Sequence, residues 1–389
     1  MDRKKILFIP RWYPDRHDNM LGLFVQKHAM AVQSLHDVSV LYVTTDATMN
    51  PGAVVITENN FNGIHELHIY FGKYDSGFRN ALSYWNCYKK GIGMILSRER
   101  KIDLTHVHIL TRTAIPALWL KYTANIPYII TEHWSRYLPV NLAKGSFPGW
   151  WRRTVTRFVV SNAAAITTVT ENLAKAMQDL GLKGKYHNTP NIADINDFRP
   201  LNNIQRDPKK LVHVSCFDEP AKNIKGIIDV IADLSKERTD FNLEIIGDGK
   251  DYIEVYEYAL QTGLVGSRIF FTGLLTGKEL STHLADSDAL VMFSNYENFP
   301  CTIVESMACG VPVISTAVGG ITEHLQKEFG ILIQAKNETM LKDAIISILD
   351  QPQQFNKEAM RKYAVTHFSM ENSAQIFDTI YRKAIQKAG

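Results

Sequence analysis

The sequence has few cysteines and no long apolar run. Its four cysteines, Cys87, Cys216, Cys301 and Cys309, are scattered and form no Cys-x-x-Cys pair, so neither a disulfide framework nor a zinc motif is indicated. No stretch approaches the roughly 18 apolar residues that a membrane span needs. The apolar run Ile6–Ile9 is too short for a signal-peptide core, which takes roughly 7 to 15 residues. These absences predict a cytoplasmic protein with reduced thiols.

The chain also lacks a strong overall charge, with a formal net charge of +3. The charge is uneven, because residues 1–200 carry 24 Lys and Arg against 15 Asp and Glu, whereas residues 201–389 carry 19 against 25. A basic first half indicates an anionic partner, such as phosphate groups or a lipid surface. No basic helix, aromatic RNA-binding pattern or zinc spacing points to nucleic acid, and the histidine spacings suggest no closed set of metal ligands. We therefore expect neither nucleic acid nor a metal.

Short β-branched or apolar runs alternate with amphipathic stretches along the whole chain. Candidate strands of the first half are Lys5–Ile9, Val38–Val43, Leu67–Tyr70, Leu104–His108, Tyr128–Thr131 and Ala165–Val169. Those of the second half are Lys210–Ser215, Asn242–Ile246, Ile269–Thr272, Ala289–Phe293 and Val313–Ser315. This alternation, which occurs twice, predicts an α/β chain with two Rossmann-like domains, each built on a parallel sheet.

The domain break is predicted at Pro190–Pro208, a polar stretch that contains three prolines. We expect an N-terminal domain over 1–195, a C-terminal domain over 205–370 and a final helix over 371–389. That helix either caps the second domain or crosses back to the first. Because open parallel sheets bind ligands at the carboxyl ends of their strands, two such domains facing each other would hold a substrate in a cleft between them.

The most informative stretch is Ser294–Ile314, which follows a candidate strand. It carries Glu297 and Glu305, eight residues apart, and a helix is predicted to begin at Pro300 or just after it. The backbone N–H groups of the first helical residues have no partner within a helix and can bind a phosphate. We expect these groups to be those of Cys301, Thr302 and Ile303.

This stretch resembles the retaining GT-B glycosyltransferases of family 4. Their motif is a Glu, seven intervening residues, a second Glu, small residues and Gly-x-Pro-Val, and the tail Cys309–Val313 matches its end. The resemblance implies a GT-B fold and a nucleotide-sugar donor, with a UDP-sugar favoured and no cofactor. It implies that Glu305 accepts hydrogen bonds from the ribose, and that Glu297 contacts the donor sugar as a catalytic residue.

The resemblance also implies a cation for the donor diphosphate. The family places an Arg after the first strand of this domain, where the sequence has Cys216, and a Lys shortly afterwards. Lys222 is our choice for that lysine, with Lys225 as the rival. The family more often has Gly where Pro300 stands, which leaves the identity of the donor sugar open. The backbone of Gly273–Leu275 is expected near the nucleobase.

In the first domain, the resemblance implies a role for a histidine, and the sequence itself offers a glycine as a second candidate. His133 follows a candidate strand and is expected to reach the transferred sugar as a catalytic residue. Gly22, just before a helix, permits close backbone approach to an acceptor or a phosphate. For His106 and His108, a place in the core or at a hinge is as good an interpretation as a functional one.

The segment Lys144–Phe158 mixes aromatic and basic residues, a composition typical of an interfacial anchor on anionic lipid. The alternative is that Trp150 and Phe158 face the core and the arginines face solvent. If the segment is an anchor, the acceptor is a lipid-linked saccharide, and the protein is peripheral at the inner face of the membrane, as in surface polysaccharide assembly. A saccharide acceptor is expected in either case.

Together these features predict a retaining, metal-independent glycosyltransferase of the hexosyltransferase type. Two other functions remain open at this stage. One is a GT-B-fold sugar-nucleotide epimerase, which would convert its donor without an acceptor. The other is a non-catalytic module that only binds nucleotide, which the missing arginine at Cys216 and the change at Pro300 would suit.

Overall fold

The computed structural model describes residues 2–143, 145, 149–201 and 207–388. The chain divides into two compact units: unit 1 comprises Met1–Asn191 and Met370–Gly389, and unit 2 comprises Ile192–Ser369. Part of the predicted domain break, residues 202–206, lies outside the described residues, as do Lys144 and Phe147 of the predicted anchor.

Unit 1 is built on an eight-stranded sheet in the order β3-β4-β2-β1-β5-β6-β7-β8. Its strands are β1 (Lys5–Pro10), β2 (Asp37–Asp46), β3 (Val54–Phe61), β4 (Ile64–Gly72), β5 (Leu104–His108), β6 (Tyr128–Glu132), β7 (Ala165–Thr168) and β8 (Tyr186–Asn188). Only the edge strand β3 is antiparallel to its neighbour. Strands β5 and β6 are buried along their whole length, as expected for a parallel sheet covered on both faces.

Helices cover this sheet on both faces. They are α1 (Leu23–Gln33), α2 (Gly77–Glu99), α3 (Ala114–Ala124), α4 (Pro139–Leu142), α5 (Trp150–Asn162) and α6 (Glu171–Asp179). One apolar core contains Leu41, Ile69 and Ile92, and a separate one contains Phe8, Val25 and Val40. The alternation of inward side chains along β2 explains why its Leu41 and Val40 belong to different cores.

Unit 2 is built on a six-stranded, wholly parallel sheet in the order β11-β10-β9-β12-β13-β14. Its strands are β9 (Lys209–Val214), β10 (Phe241–Ile246), β11 (Ile269–Gly273), β12 (Ala289–Met292), β13 (Val313–Thr316) and β14 (Gly330–Ile333). Its helices are α7 (Glu219–Lys222), α8 (Ile224–Leu234), α9 (Tyr252–Gln261), α10 (Gly277–Ala285), α11 (Cys301–Ala308), α12 (Ile321–His324), α13 (Glu338–Asp350) and α14 (Lys357–Phe368). Both sheets confirm the predicted pair of Rossmann-like α/β domains.

The last helix, α15 (Met370–Ala388), belongs to unit 1 and packs beside α1. Its Phe377 and Tyr381 are buried, and the Tyr381 hydroxyl lies 2.7 Å from Nδ1 of His106 on β5. Of the two predicted alternatives, the helix therefore crosses back to the first domain. Within the described part of the chain, no helix has both the length and the apolar character needed to cross a bilayer.

Candidate active site

The loop between β12 and α11 carries Glu297 at the carboxyl edge of the unit 2 sheet. Helix α11 begins at Cys301, with Pro300 as its N-terminal cap in an extended conformation. Gly319, after β13, has a φ of +59°, and a Cβ there would lie 2.0 Å from the carbonyl oxygen of Glu297. Glycine is required at this position because it permits both the left-handed backbone and the close approach. The backbone that follows β13 therefore packs directly against the Glu297 loop and restrains it.

Lys222 and Glu297 form an ion pair at this edge, with Nζ 2.5 Å from Oε1. Their side chains are only 13% and 10% exposed, and the hydroxyl of Ser294 donates to the same carboxylate oxygen at 2.9 Å. The short helix that ends at Lys222 is joined to the loop by the Asn295 N–H, which donates to the Ala221 carbonyl at 2.7 Å. Burial disfavours the charge of Lys222, but Glu297 and the neighbouring Cys216 and Asp218 together outweigh it, so the pKa of Lys222 is raised.

The rival lysine lies in different surroundings. Nζ of Lys225 is 2.6 Å from Oε1 of Glu254, whose side chain is 64% exposed. Cys216, where the family has an arginine, is exposed in the loop after β9. That loop packs against a glycine turn, since a Cβ on Gly249 would lie 2.6 Å from the backbone nitrogen of Phe217. Of the two lysines, Lys222 is the one that the structure brings to Glu297.

Glu305 lies on the second turn of α11 and is buried, with 6% of its surface exposed. Burial raises the pKa of the Cys309 thiol to about 12, and the Glu305 carboxylate adds to this effect. At the start of the helix, the Ile303 N–H donates to the Pro300 carbonyl at 3.3 Å. The prediction of a free N–H at Ile303 is therefore wrong, because the first turn closes on the cap residue. Thr302 directs its hydroxyl to the sulfur of Met292 at 3.6 Å.

Gly273 ends β11 and Leu275 follows it at the same sheet edge. Gly273 has a φ of +73° with open space where a Cβ would be, and its carbonyl accepts from the Gly247 N–H at 2.8 Å. The Leu275 side chain packs against the apolar core. The turns at Gly247 and Gly273 therefore lie next to each other at the ends of β10 and β11.

In unit 1, Gly22 and His133 occupy the edge formed by the ends of β1 and β6. Gly22 caps α1 with a φ of +69°, and a Cβ there would lie 2.3 Å from the backbone carbon of Trp12. In the first turn of that helix, the centroid of the Phe24 ring lies 4.6 Å from that of the His133 ring. The structure therefore places the two predicted residues of the first domain close together.

His133 belongs to a histidine cluster that sequence spacing did not indicate. Ring nitrogens of His28, His108 and His133 lie within 4.8 Å of one another, and Nδ1 of His108 is 3.3 Å from Nε2 of His133. Burial, followed by the neighbouring histidines, holds the pKa of His108 and of His133 well below the usual value, and burial lowers that of His28 to about 4. All three are therefore neutral near pH 7, the form in which imidazole can also bind a metal. The expectation of no metal stays a prediction.

His106 is held differently. Its Nδ1 meets Tyr381 and its Nε2 lies 2.6 Å from the Thr131 hydroxyl. Both bonds are buried, and burial holds the pKa of His106 well below the usual value. These contacts favour the interpretation of His106 as a core histidine.

Glu132, directly before His133, was not identified from the sequence. It is fully buried, and its carboxylate accepts from the N–H groups of Leu110, His133 and Trp134 at 2.8–2.9 Å. Burial raises its pKa to about 7, although these three bonds act in the opposite direction. A carboxylate that collects three backbone N–H groups fixes the loop that carries His133.

Comparisons with known proteins agree with this architecture. The model of the glycosyl transferases group 1 matches residues 194–366, and that of glycosyltransferase family 4 matches residues 24–197. An uncharacterized glycosyltransferase of Methanocaldococcus jannaschii is 30% identical over 289 residues, which are 73% of this chain and 74% of that protein.

Two solved structures share the fold over nearly the whole chain. Sucrose-phosphate synthase of Thermosynechococcus elongatus has a TM-score of 0.79 at 18% identity, covering 99% of this chain and 100% of that chain. HepE of Anabaena, solved in complex with UDP and glucose, has a TM-score of 0.71 at 16% identity, covering 97% and 99%. The chain therefore belongs to the group 1 glycosyltransferases of family 4 and has the GT-B fold.

Proposed function

We propose that this glycosyltransferase moves a sugar, with retention of anomeric configuration and without a metal, from a UDP-sugar to a lipid-linked saccharide. The observation that carries the proposal is the buried Lys222–Glu297 pair beside the start of α11. A structural neighbour solved with UDP supports the choice of nucleotide. The basic first half of the chain supports a phosphate-containing acceptor.

In the donor site, Lys222 supplies the positive charge that a leaving nucleoside diphosphate requires. The ammonium has three N–H donors, of which one is used by Glu297, so a phosphate oxygen can bind without displacing the carboxylate. The N-terminal end of α11 adds its dipole, which stabilises negative charge as the diphosphate departs. These groups perform the task for which other transferases use a divalent cation.

The two glutamates then bind hydroxyl groups of the donor. Among the described residues, Lys222 and Ser294 both donate their hydrogen bonds to Oε1 of Glu297. Oε2 can therefore accept from a sugar hydroxyl. Glu305 binds the ribose hydroxyls. The acceptor hydroxyl attacks on the face that the diphosphate leaves, and the leaving phosphate oxygen takes its proton. His133, as a neutral imidazole, contacts the transferred sugar.

The acceptor proposal depends on α5. Trp150, Trp151 and Phe158 are exposed by 78%, 64% and 51%, so the alternative in which Trp150 and Phe158 face the core is wrong. Arg152, Arg153 and Arg157 are exposed on the same helix. Aromatic and basic side chains that are exposed together suit the surface of an anionic bilayer. The protein then acts as a peripheral enzyme of polysaccharide assembly at the inner face of the membrane.

The first experiment is a thermal-shift screen of UDP-, GDP- and ADP-sugars, because a bound donor stabilises the folded state. The sugar with the largest shift is then incubated with the protein and a membrane extract, with and without EDTA, and the anomeric configuration of the product is read by NMR. We expect a UDP-sugar to be used with retention, undiminished by EDTA.

The same experiments distinguish the two alternatives, since a non-catalytic module would bind a nucleotide-sugar without transferring its sugar. Conversion of a nucleotide-sugar to its epimer without acceptor would replace transfer by epimerisation. Full transfer activity in Glu297→Gln would remove Glu297 from the mechanism. If no nucleotide-sugar stabilises the protein at millimolar concentration, the donor assignment is overturned.

A further inference from the structure

A large cavity lies within unit 1, apart from the Lys222–Glu297 pair. Its volume is about 960 Å³, at the upper end of the roughly 300–1,000 Å³ range of small-molecule sites. Helices α2, α3 and α5 line it, together with residues that follow β1, β5 and β6. It thus opens at the carboxyl edge of the sheet, where parallel sheets bind their ligands.

The charged lining of this cavity is entirely positive. Five cations contribute to it, namely Arg11, Lys73, Arg112, Arg136 and Arg152, and no aspartate or glutamate is among its described lining residues. In the part of the chain that the structure describes, Arg11, Lys73, Arg112 and Arg152 form no salt bridge. The Arg112 guanidinium instead lies over the Tyr84 ring at 4.2 Å. These four residues therefore place positive charge in the cavity without an ion-pair partner among the described residues.

The aromatic lining suits a sugar. Trp85, Tyr88 and Trp134 line the same cavity, and Trp134 is held by Trp12 with ring centroids 5.1 Å apart. Flat aromatic faces pack against the C–H faces of a sugar ring, while guanidinium groups bind phosphate oxygens in pairs. The lining therefore fits a ligand that carries both a saccharide and a phosphate group.

The margin of the cavity is apolar. Trp151 lines the cavity, and its neighbour Trp150 is 78% exposed. On α2, the lining residues Gly77 and Ala81 alternate with Phe78 and Leu82, which are exposed by 79% and 48%. Two helices thus present apolar side chains next to a basic interior. A ligand that matches both parts has an anionic head and an apolar chain.

We propose that this cavity binds the diphosphate of a lipid-linked acceptor, with the lipid chain leaving between Phe78 on α2 and Trp150 on α5. The acceptor role rests on the proposed function, whereas the binding of a lipid diphosphate does not. The four cations without an ion pair exceed what the single charge of a phosphodiester requires and match a diphosphate better. The sugar next to the diphosphate lies among the tryptophans, towards His133.

Isothermal titration calorimetry with three probes tests this proposal. Farnesyl diphosphate carries both chemical features, inorganic pyrophosphate carries only the charge, and farnesol carries only the chain. We expect farnesyl diphosphate to bind at least tenfold more tightly than pyrophosphate, and farnesol to bind more weakly than either. Equal binding of farnesyl diphosphate and pyrophosphate would assign the cavity to a soluble phosphate and overturn the lipid proposal. No binding of farnesyl diphosphate would overturn it completely.

Variants locate the site. Arg112→Gln and Arg152→Gln should each weaken farnesyl diphosphate roughly ten- to hundredfold, the range for one charge-assisted bond to phosphate. Arg98→Gln is the matched control, because Arg98 lies on α2 outside the cavity and should bind like the wild type. Circular dichroism and UDP titration accompany every variant. Loss of UDP binding in Arg112→Gln would assign the cavity to the donor and overturn the proposal, whereas unchanged UDP binding separates the two sites.

Discussion

Replacing Lys222 by methionine is the sharpest test of the donor site. Methionine keeps an unbranched apolar stem of similar length and removes the ammonium, which leaves Glu297 buried with the Ser294 hydroxyl as its remaining bond. Both partners of this ion pair are largely buried, and breaking a buried pair by removing one partner costs roughly 3–5 kcal/mol. We therefore expect the free energy of unfolding to fall by about 3 kcal/mol or more, as measured by urea denaturation.

The same substitution should weaken UDP. A charge-assisted bond to phosphate contributes about 1.5–3 kcal/mol, which corresponds to a roughly 10- to 150-fold rise in the Kd of UDP, measured by titration calorimetry. Combining Lys222→Met with Glu297→Gln should restore part of the stability, because no buried charge is then left without its counterion. It should not restore UDP binding, since the cation is still absent.

Lys225→Met is the matched control for both measurements. Its partner Glu254 is well exposed, and exposed ion pairs contribute about 0–1 kcal/mol, so stability and UDP binding should both stay close to the wild type. The reasoning is refuted if Lys222→Met binds UDP within twofold of the wild type. It is equally refuted if Lys225→Met is the variant that loses UDP.

Three further predictions concern the residues around these sites. Cys216→Arg supplies the cation that the family has, and it should lower the Kd of UDP in calorimetry. Burial raises the pKa of Glu132 to about 7 from 4.5. The stabilisation that the Glu132 carboxyl contributes is therefore present below pH 4.5 and is lost as the pH rises to 7. Across that range the wild type should lose about 3 kcal/mol of free energy of unfolding relative to Glu132→Gln. Trp150→Ser should reduce flotation with anionic vesicles at low salt, whereas an unchanged flotation would remove α5 from the membrane surface.

Most of the fold could be predicted because buried parallel strands leave a strong sequence pattern. Val313–Ser315 and Leu104–His108 are short runs with β-branched or apolar residues between helices, and both are strands in the structure. The strand β3 (Val54–Phe61) was missed, since its second half is polar and it lies exposed at the sheet edge. The strand β14 (Gly330–Ile333) was missed because four residues beginning with glycine give no periodicity.

The candidate sites likewise differ in how far the sequence could predict them. The stretch that carries Glu297 and Glu305 could be identified because its residues are close in sequence. The histidine cluster could not, because His28 reaches His108 and His133 only through the order of strands in the sheet. The basic cavity was also not predicted, because Arg11 and Arg152 lie far apart in the chain. The charge asymmetry between the halves and the aromatic and basic composition of Lys144–Phe158 were its traces in the sequence.

In the proposed donor site, the geometry of the Lys222–Glu297 pair lets a buried ion pair also bind substrate. If Glu297 used both carboxylate oxygens on Lys222 and Ser294, donor binding would have to break the pair and lose its stabilisation. Because both bonds converge on Oε1, Oε2 can accept from a sugar hydroxyl while Lys222 turns its other N–H groups to the diphosphate. Under the proposed function, the cation and the carboxylate are thus in position before the donor arrives, and we expect little reorganisation on binding. Glutamine at 297 retains only one acceptor oxygen, so either the lysine or the sugar loses its partner.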